Sequence, residues 1–271
     1  MTTTVSLWSD ALAALHAREM PQKDNLCGAF WGALVLQAAG VTAWNGEPVD
    51  QDLVALHAGT VLPVGDPVDA VPPGASPRTD YRLALSTAPE SASAGTAAAA
   101  VRRALELVSE GRLAVVPVAG PWSAASVVDL IDAAEETQAG AVLVANLRTG
   151  RLWGSRPPAA LVLAHLAGRP VDPPPPDWDV GHFVTLASRL RGRGGSLVVV
   201  RDTYPVLGWG GYHVQPPEAV AEALARGDGH EGGVLCAVPA PAAEELRRAL
   251  SARGFDLRDW DNGTPDHMGG G

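Results

Sequence analysis

Two cysteines in 271 residues are too few for a disulfide framework, so stability must come from a packed core. Cationic surface is scarce as well. The formal net charge is −10, and the nearest approach to a basic cluster, Arg189, Arg191 and Arg193, reads as a hairpin turn. Nonspecific nucleic-acid binding, which needs clustered Lys and Arg, is therefore not expected. No stretch reaches the ~18 uninterrupted apolar residues of a membrane span. Residues 1–19 lack the basic region and apolar core of a signal peptide. A reducing cytoplasm fits these absences, and there Cys27 stays a free thiol. His16, His57, His165, His230 and His267 share no spacing with a cysteine or carboxylate pair, so no zinc site is expected. Gly208–Gly211 do not open a helix after a strand, which argues against a phosphate cradle. No cofactor is expected.

What is present is a globular composition, 46% hydrophobic and 18% charged, long enough to bury a large core. Much of the apolar content is alanine, so packing falls to Leu, Val and eight tryptophans. Patterning predicts helices over 5–18, 27–39, 51–58, 96–110, 123–137, 158–167, 216–225 and 241–252. Strands are expected over 113–118, 141–145, 181–188, 196–201, 212–214 and 234–238, with 151–153 closing a hairpin after a 146–150 turn. Residues 65–77 read as loop and 86–93 as a mobile Ser/Ala segment. Pro173–Pro176 reads as a stiff extended approach without backbone donors. The tail, 261–271, ends in three glycines and reads as flexible.

One stretch organises the rest. In Gln22-Lys23-Asp24-Asn25-Leu26-Cys27-Gly28, a cysteine sits where a polar loop turns into an apolar helix. Asp24 or Asn25 can serve as N-cap. Cys27 then lies in the first turn, where unpaired N–H groups and the helix dipole favour a negative sulfur. Gln22 can offer an amide donor at the same point. A thiolate nucleophile also needs a base and a group that orients the base. His182 opens the strand Gly181-His182-Phe183-Val184, and Asp202 ends the next one. Antiparallel pairing across the turn Arg191–Gly195 sets the two at one edge of the hairpin, within hydrogen-bond reach. His213 is a rival base. Trp178, Trp209 and Gly181, beside the base and the acid in sequence, are expected to wall the cleft. Cys236, in an apolar strand, reads as core, and Glu135 and Glu136 as solvent-facing.

A Gln shortly before Cys-Gly at a helix start, then Gly-His-Phe-Val, then Asp-Thr-Tyr-Pro after the following strand, resembles the papain-like cysteine peptidases. The likeness is greatest to the bacterial branch related to the double-glycine leader peptidases of bacteriocin maturation, and it covers about residues 20–40 and 180–226. It implies Cys27 as nucleophile, His182 as base, Asp202 as orienter and Gln22 in the oxyanion hole. The implied fold class is α+β, with the nucleophile helix packed on a C-terminal antiparallel sheet. The chain would form a single domain over 1–260 with a long α/β insertion at about 42–178. The implied activity is cleavage of a peptide or amide in a peptide or protein substrate. Two alternatives keep the same residues: a catalytically silent papain-like domain that binds a peptide or partner, and a transglutaminase-like acyltransferase. A self-occupying tail, placing Gly269-Gly270-Gly271 in the cleft, is a further idea.

Overall fold

The computed structural model describes residues 7–65, 71–90 and 93–267. Its centre is a six-stranded, wholly antiparallel sheet in the order β5-β10-β6-β7-β8-β9. The strands are β5 (Leu113–Val118), β6 (Val142–Arg148), β7 (Gly181–Arg191), β8 (Ser196–Arg201), β9 (Tyr212–Gln215) and β10 (Gly233–Pro239). The inner ones are near-continuous β-branched and apolar runs because both faces are covered. Alternation divides each strand between two cores. In β10, Leu235 and Ala237 join one cluster while Val234, Cys236 and Val238 join the other.

The first face carries α2 (Cys27–Ala38), α3 (Gln51–His57) and α4 (Ala98–Val108), with α1 (Leu7–Glu19) against α2. The second carries α5 (Ala124–Glu136), α7 (Pro217–Ala225) and α8 (Ala243–Ala252). Outside the sheet lie the short α6 (Ala159–Leu166), a hairpin of β1 (Ala43–Trp44) with β2 (Glu47–Pro48), and a parallel pair, β3 (Val61–Pro63) and β4 (Ser86–Ala88). No helix among the described residues is long and apolar enough to cross a membrane.

Helix α2 is hydrophobic all round, and Gly28 through Leu36 are buried without a break. Such a helix must be enclosed. Trp31 fixes its position on the sheet by donating from Nε1 to the Phe183 carbonyl at 3.0 Å. Gly28 lets the first turn approach β7, since a Cβ there would lie 3.2 Å from the Phe183 ring.

The structure departs from several sequence expectations. The 42–178 segment, expected as an insertion, supplies the edge strand β5 and the inner strand β6 of the same sheet, and α3 and α4 to the packing on α2. Residues 149–151 form a 3-10 turn rather than the start of a returning strand. Within the expected mobile stretch, residues 86–88 form β4; 91 and 92 lie outside the described residues. The tail is not free over 261–267. Asn262 is buried and donates to the Thr96 carbonyl at 3.1 Å, and Asp266 pairs with Arg103 at 2.6 Å. Residues 268–271, and with them the self-occupying glycines, lie outside the described residues.

The loop before α2 is held by a buried ion pair. Lys23, the only lysine in the chain, donates from Nζ to Asp52 Oδ2 at 2.7 Å, with side chains 8% and 0% exposed. The Lys23 amide donates to Gln51 Oε1 at 2.7 Å, and the Arg82 amide donates to the same Asp52 oxygen. Lys23→Met strands the Asp52 carboxylate without its cation, a loss of about 3–5 kcal/mol; adding Asp52→Asn restores most of it. Urea unfolding of the two variants measures the difference, and equal stability of both with the parent would show the pair to be inert.

Candidate active site

Cys27 is the first residue of α2. Asp24 and Asn25 were both expected as its cap, and neither is. The N-cap is Leu26, with no side-chain cap hydrogen bond. Asn25 takes a left-handed conformation at φ 63°, which asparagine tolerates better than most residues. Asp24 turns back to accept from the Arg78 amide at 3.0 Å, while Tyr81 Oη donates to the Asp24 carbonyl at 2.9 Å. Arg78 also reaches the Pro21 carbonyl at 2.6 Å. The loop is thus fixed by its neighbours, and the first-turn amides beside the sulfur carry no side-chain cap.

His182, at the start of β7, is 1% exposed, and Asp202, one residue past β8, is equally buried. The last β7–β8 pair is Thr185 with Arg201, which leaves His182 and Asp202 on the same side of the hairpin. His182 Nε2 donates to Asp202 Oδ1 at 3.2 Å, and Thr203 Oγ1 lies 3.3 Å from the same nitrogen. Cys27 lines the same cavity as His182, and its side chain is among the groups that raise the imidazole's pKa. Trp178 packs edge-on against the His182 ring at 5.2 Å and Tyr204 lies along it at 6.3 Å. Burial alone would lower the His182 pKa. The charge and hydrogen bond of Asp202, then the hydrogen bond and charge of Cys27, outweigh burial and hold it at about 10. Burial would raise the Asp202 carboxyl, yet His182 and then His213 keep it well below the ordinary carboxylate range.

Gln22 is 2% exposed, its amide N–H bonds the Thr203 carbonyl at 3.2 Å, and its side-chain Oε1 has no hydrogen-bond partner. It lines a cavity of about 270 Å³ together with Cys27, His182, Trp178 and Gly181. Trp209, expected beside them, does not line that cavity. It is 59% exposed, in the turn before β9, at the tip of a Gly208–Gly211 loop whose two end glycines are buried. A larger groove, about 1130 Å³, runs between Pro173–Pro176, α5 and α7, and none of Cys27, His182 or Asp202 lines it. Cys236 is fully buried, and burial raises its thiol pKa above the ordinary range.

Sequence reasoning missed the support behind Asp202. His213, the rival base, does not line the cavity that Cys27 and His182 share; its Nε2 lies 3.7 Å from the other carboxylate oxygen, Asp202 Oδ2. Its Nδ1 is 3.0 Å from Gln215 Nε2, and Gln215 is anchored at both ends on Trp153, accepting from its N–H at 2.7 Å and donating to its carbonyl at 2.9 Å. His16, in α1, lies with Nε2 2.6 Å from the Asp202 carbonyl and stacks on Trp31 at 5.2 Å. Burial, the largest influence on it, lowers its pKa. The alternating strand pattern at His213 and Gln215 was the only available signal. Among the described residues no group of three or more His, Cys, Asp or Glu could hold a metal ion.

Residues 8–261 match the model of a family of unknown function, DUF6885, and the chain belongs to that family. No curated protein matches it.

The buried pair sets a pH dependence. A histidine raised to about 10 in the folded state against ~6.5 unfolded contributes stability that is complete below ~6.5 and is lost as pH rises through about 10. Unfolding free energy should therefore fall between pH 7 and pH 10, and Asp202→Asn should flatten the fall by removing the partner that raises His182. Parallel declines in the two proteins would sink the pairing.

Proposed function

We propose that this chain is a cysteine hydrolase of papain-like fold that cleaves a peptide or amide bond, with Cys27 as nucleophile, His182 as base and Asp202 as its orienter. The observation that carries the reading is the buried His182 ring, held at Nε2 by Asp202, on the wall of the open cavity that Cys27 also lines. The cytoplasm suits a free thiol, and maturation of a bacterial peptide is the setting the resemblance suggests.

In this mechanism His182 holds the proton that Cys27 gives up, in keeping with its raised pKa, and the sulfur attacks the carbonyl carbon. The carbonyl π electrons move to oxygen. The Cys27 amide and the Gln22 side chain bind that oxyanion, a contribution of about 3–4 kcal/mol for each donor. When the oxyanion collapses, the C–N bond breaks, the amine takes the proton from His182, and a thioester remains on Cys27. Water, deprotonated by His182, then attacks the thioester; the C–S bond breaks, the carboxylic acid leaves and the sulfur regains its proton. Asp202 stays ionised throughout and keeps the imidazole aimed.

Alkylation reads the first step without a known substrate. Iodoacetamide should modify Cys27 rapidly and leave buried Cys236 untouched in the native protein, as peptide mass spectrometry would locate. His182→Ala should slow the reaction at Cys27 by about 10²-fold, the usual scale of a positioned general base. Slow modification of Cys27, unchanged in His182→Ala, would leave a silent peptide-binding domain as the better reading.

A further inference from the structure

We propose that the cavity beside Cys27 contains an anion subsite built on Arg226, so that the preferred substrate carries a carboxylate; this rests on the assignment of that cavity as the substrate site. Arg226 sits at the C-terminal end of α7, 6% exposed, and lines the same cavity as Cys27 and His182. No Asp or Glu is among the described residues that line it. The other polar lining groups are neutral amides and hydroxyls, Asn25, Asn146, Asn262, Thr96 and Thr264, besides Gln22.

The guanidinium is fixed before any ligand arrives. Asp228 accepts from Nε at 3.1 Å and from Nη2 at 2.8 Å, occupying one edge of the fork. Nη1 donates to the Asn262 carbonyl at 3.0 Å and approaches Asn146 Oδ1 at 3.5 Å. The group lies over Gly181, the residue next to His182: a Cβ there would stand 3.3 Å from Nη2 and 3.5 Å from Nη1. A glycine at 181 therefore keeps the approach to the guanidinium open. Arg226 holds this place from a left-handed backbone, φ 62°, a conformation that glycine adopts more readily.

The surrounding charge leans the same way. Arg148 reaches Asp179 at 2.5 Å and Asp228 at 3.7 Å, and the Arg151 guanidinium comes within 3.4 Å of where a Cβ on Gly227 would be. Three guanidiniums face two carboxylates here, in a chain whose formal net charge is −10. A buried, pre-aimed guanidinium with one Nη2 hydrogen left beyond its structural partners is suited to charge-assisted pairing with a carboxylate. That carboxylate is either a free chain terminus or an acidic side chain.

Thiol-directed probes separate the subsite from the nucleophile. N-iodoacetylglycine and its amide differ by a terminal carboxylate; N-iodoacetylglutamic acid α-amide and the matching glutamine compound differ by an acidic side chain. Within each protein the charged-to-neutral ratio of Cys27 alkylation rates cancels changes in the sulfur's own reactivity. The ratio for one pair should exceed that of glutathione by about tenfold, the scale of one charge-assisted hydrogen bond. It should fall to the glutathione value in Arg226→Gln/Asp228→Asn, which keeps the local charge balanced. Whichever pair shows the excess identifies the source of the carboxylate. A ratio that matches glutathione in the parent, or survives the double substitution, would reduce Arg226 to a peg for the Asn262 carbonyl. If Cys27 proves unreactive, Cys27→Ala protein titrated with N-acetylglycine and N-acetylglutamic acid α-amide still decides the matter. A shift of the Arg226 Nε–Hε resonance that the neutral amides do not produce sustains the subsite, and no shift overturns it.

Discussion

A carboxylate with about 1% of its surface exposed cannot stay ionised unless hydrogen bonds and opposite charge replace the water it has lost. Asp202 meets that condition from several directions at once. His182 and the Tyr204 amide, at 3.3 Å, serve Oδ1, while His213 stands by Oδ2. Its own amide bonds the Gly211 carbonyl at 2.7 Å and its carbonyl meets His16. Helix α1, strand β7, the β8–β9 connection and β9 all converge on this residue. If the pairing with His182 is removed, the imidazole loses the partner that aims it at Cys27. The site and the fold therefore share one constraint.

The same reasoning explains why the loop before α2 is so heavily bonded. A side chain at the first residue of a helix, as Cys27 is, is only as well placed as the chain that enters that helix. Here the entering chain lacks a side-chain cap of its own. Lys23 on Asp52, Asp24 on the Arg78 amide, and Gln22 on the Thr203 carbonyl take over that role. The Gln22 contact ties the loop directly to the residue after Asp202, so the two halves of the site are joined through backbone as well as through the imidazole.

What could be read in the chain was local or followed from hairpin topology. The apolar run after Cys27, the β-branched strands and the glycine turn before Ser196 each declare themselves within about ten residues. Antiparallel pairing then carried His182 to Asp202. The rest depends on contacts between distant segments. Nothing near Lys23 announces Asp52, and nothing near His16 announces the Asp202 carbonyl. Arg226 looked like a residue after a helix until Gly181 and Asn262 were seen beside it. The cap was misassigned for a related reason: Asp24 has cap chemistry, but Arg78, 54 residues on, claims it. Residues 113–118 and 141–145 were legible as strands, while 146–148, expected in a turn, continue the second of them. Their place in the sheet, β5 at one edge and β6 between β10 and β7, was not, because pairing order is set by packing of both faces rather than by spacing.

The direction of the hydrogen bonds behind Asp202 follows from one group whose polarity is invariant. The Trp153 backbone can only donate at nitrogen and accept at oxygen. It therefore orients the Gln215 amide, whose oxygen meets the N–H and whose NH2 meets the carbonyl. That NH2 must then be the donor to His213 Nδ1, so a neutral His213 carries its proton on Nε2, the nitrogen that faces Asp202 Oδ2. The carboxylate thus accepts a hydrogen bond from His182 on one side and faces the His213 N–H at 3.7 Å on the other, and neither imidazole can turn without breaking a bond to its partner. A backbone group in the connection after β6 ends up determining which nitrogen of His213 faces the carboxylate and, through Asp202, how the His182 ring is held.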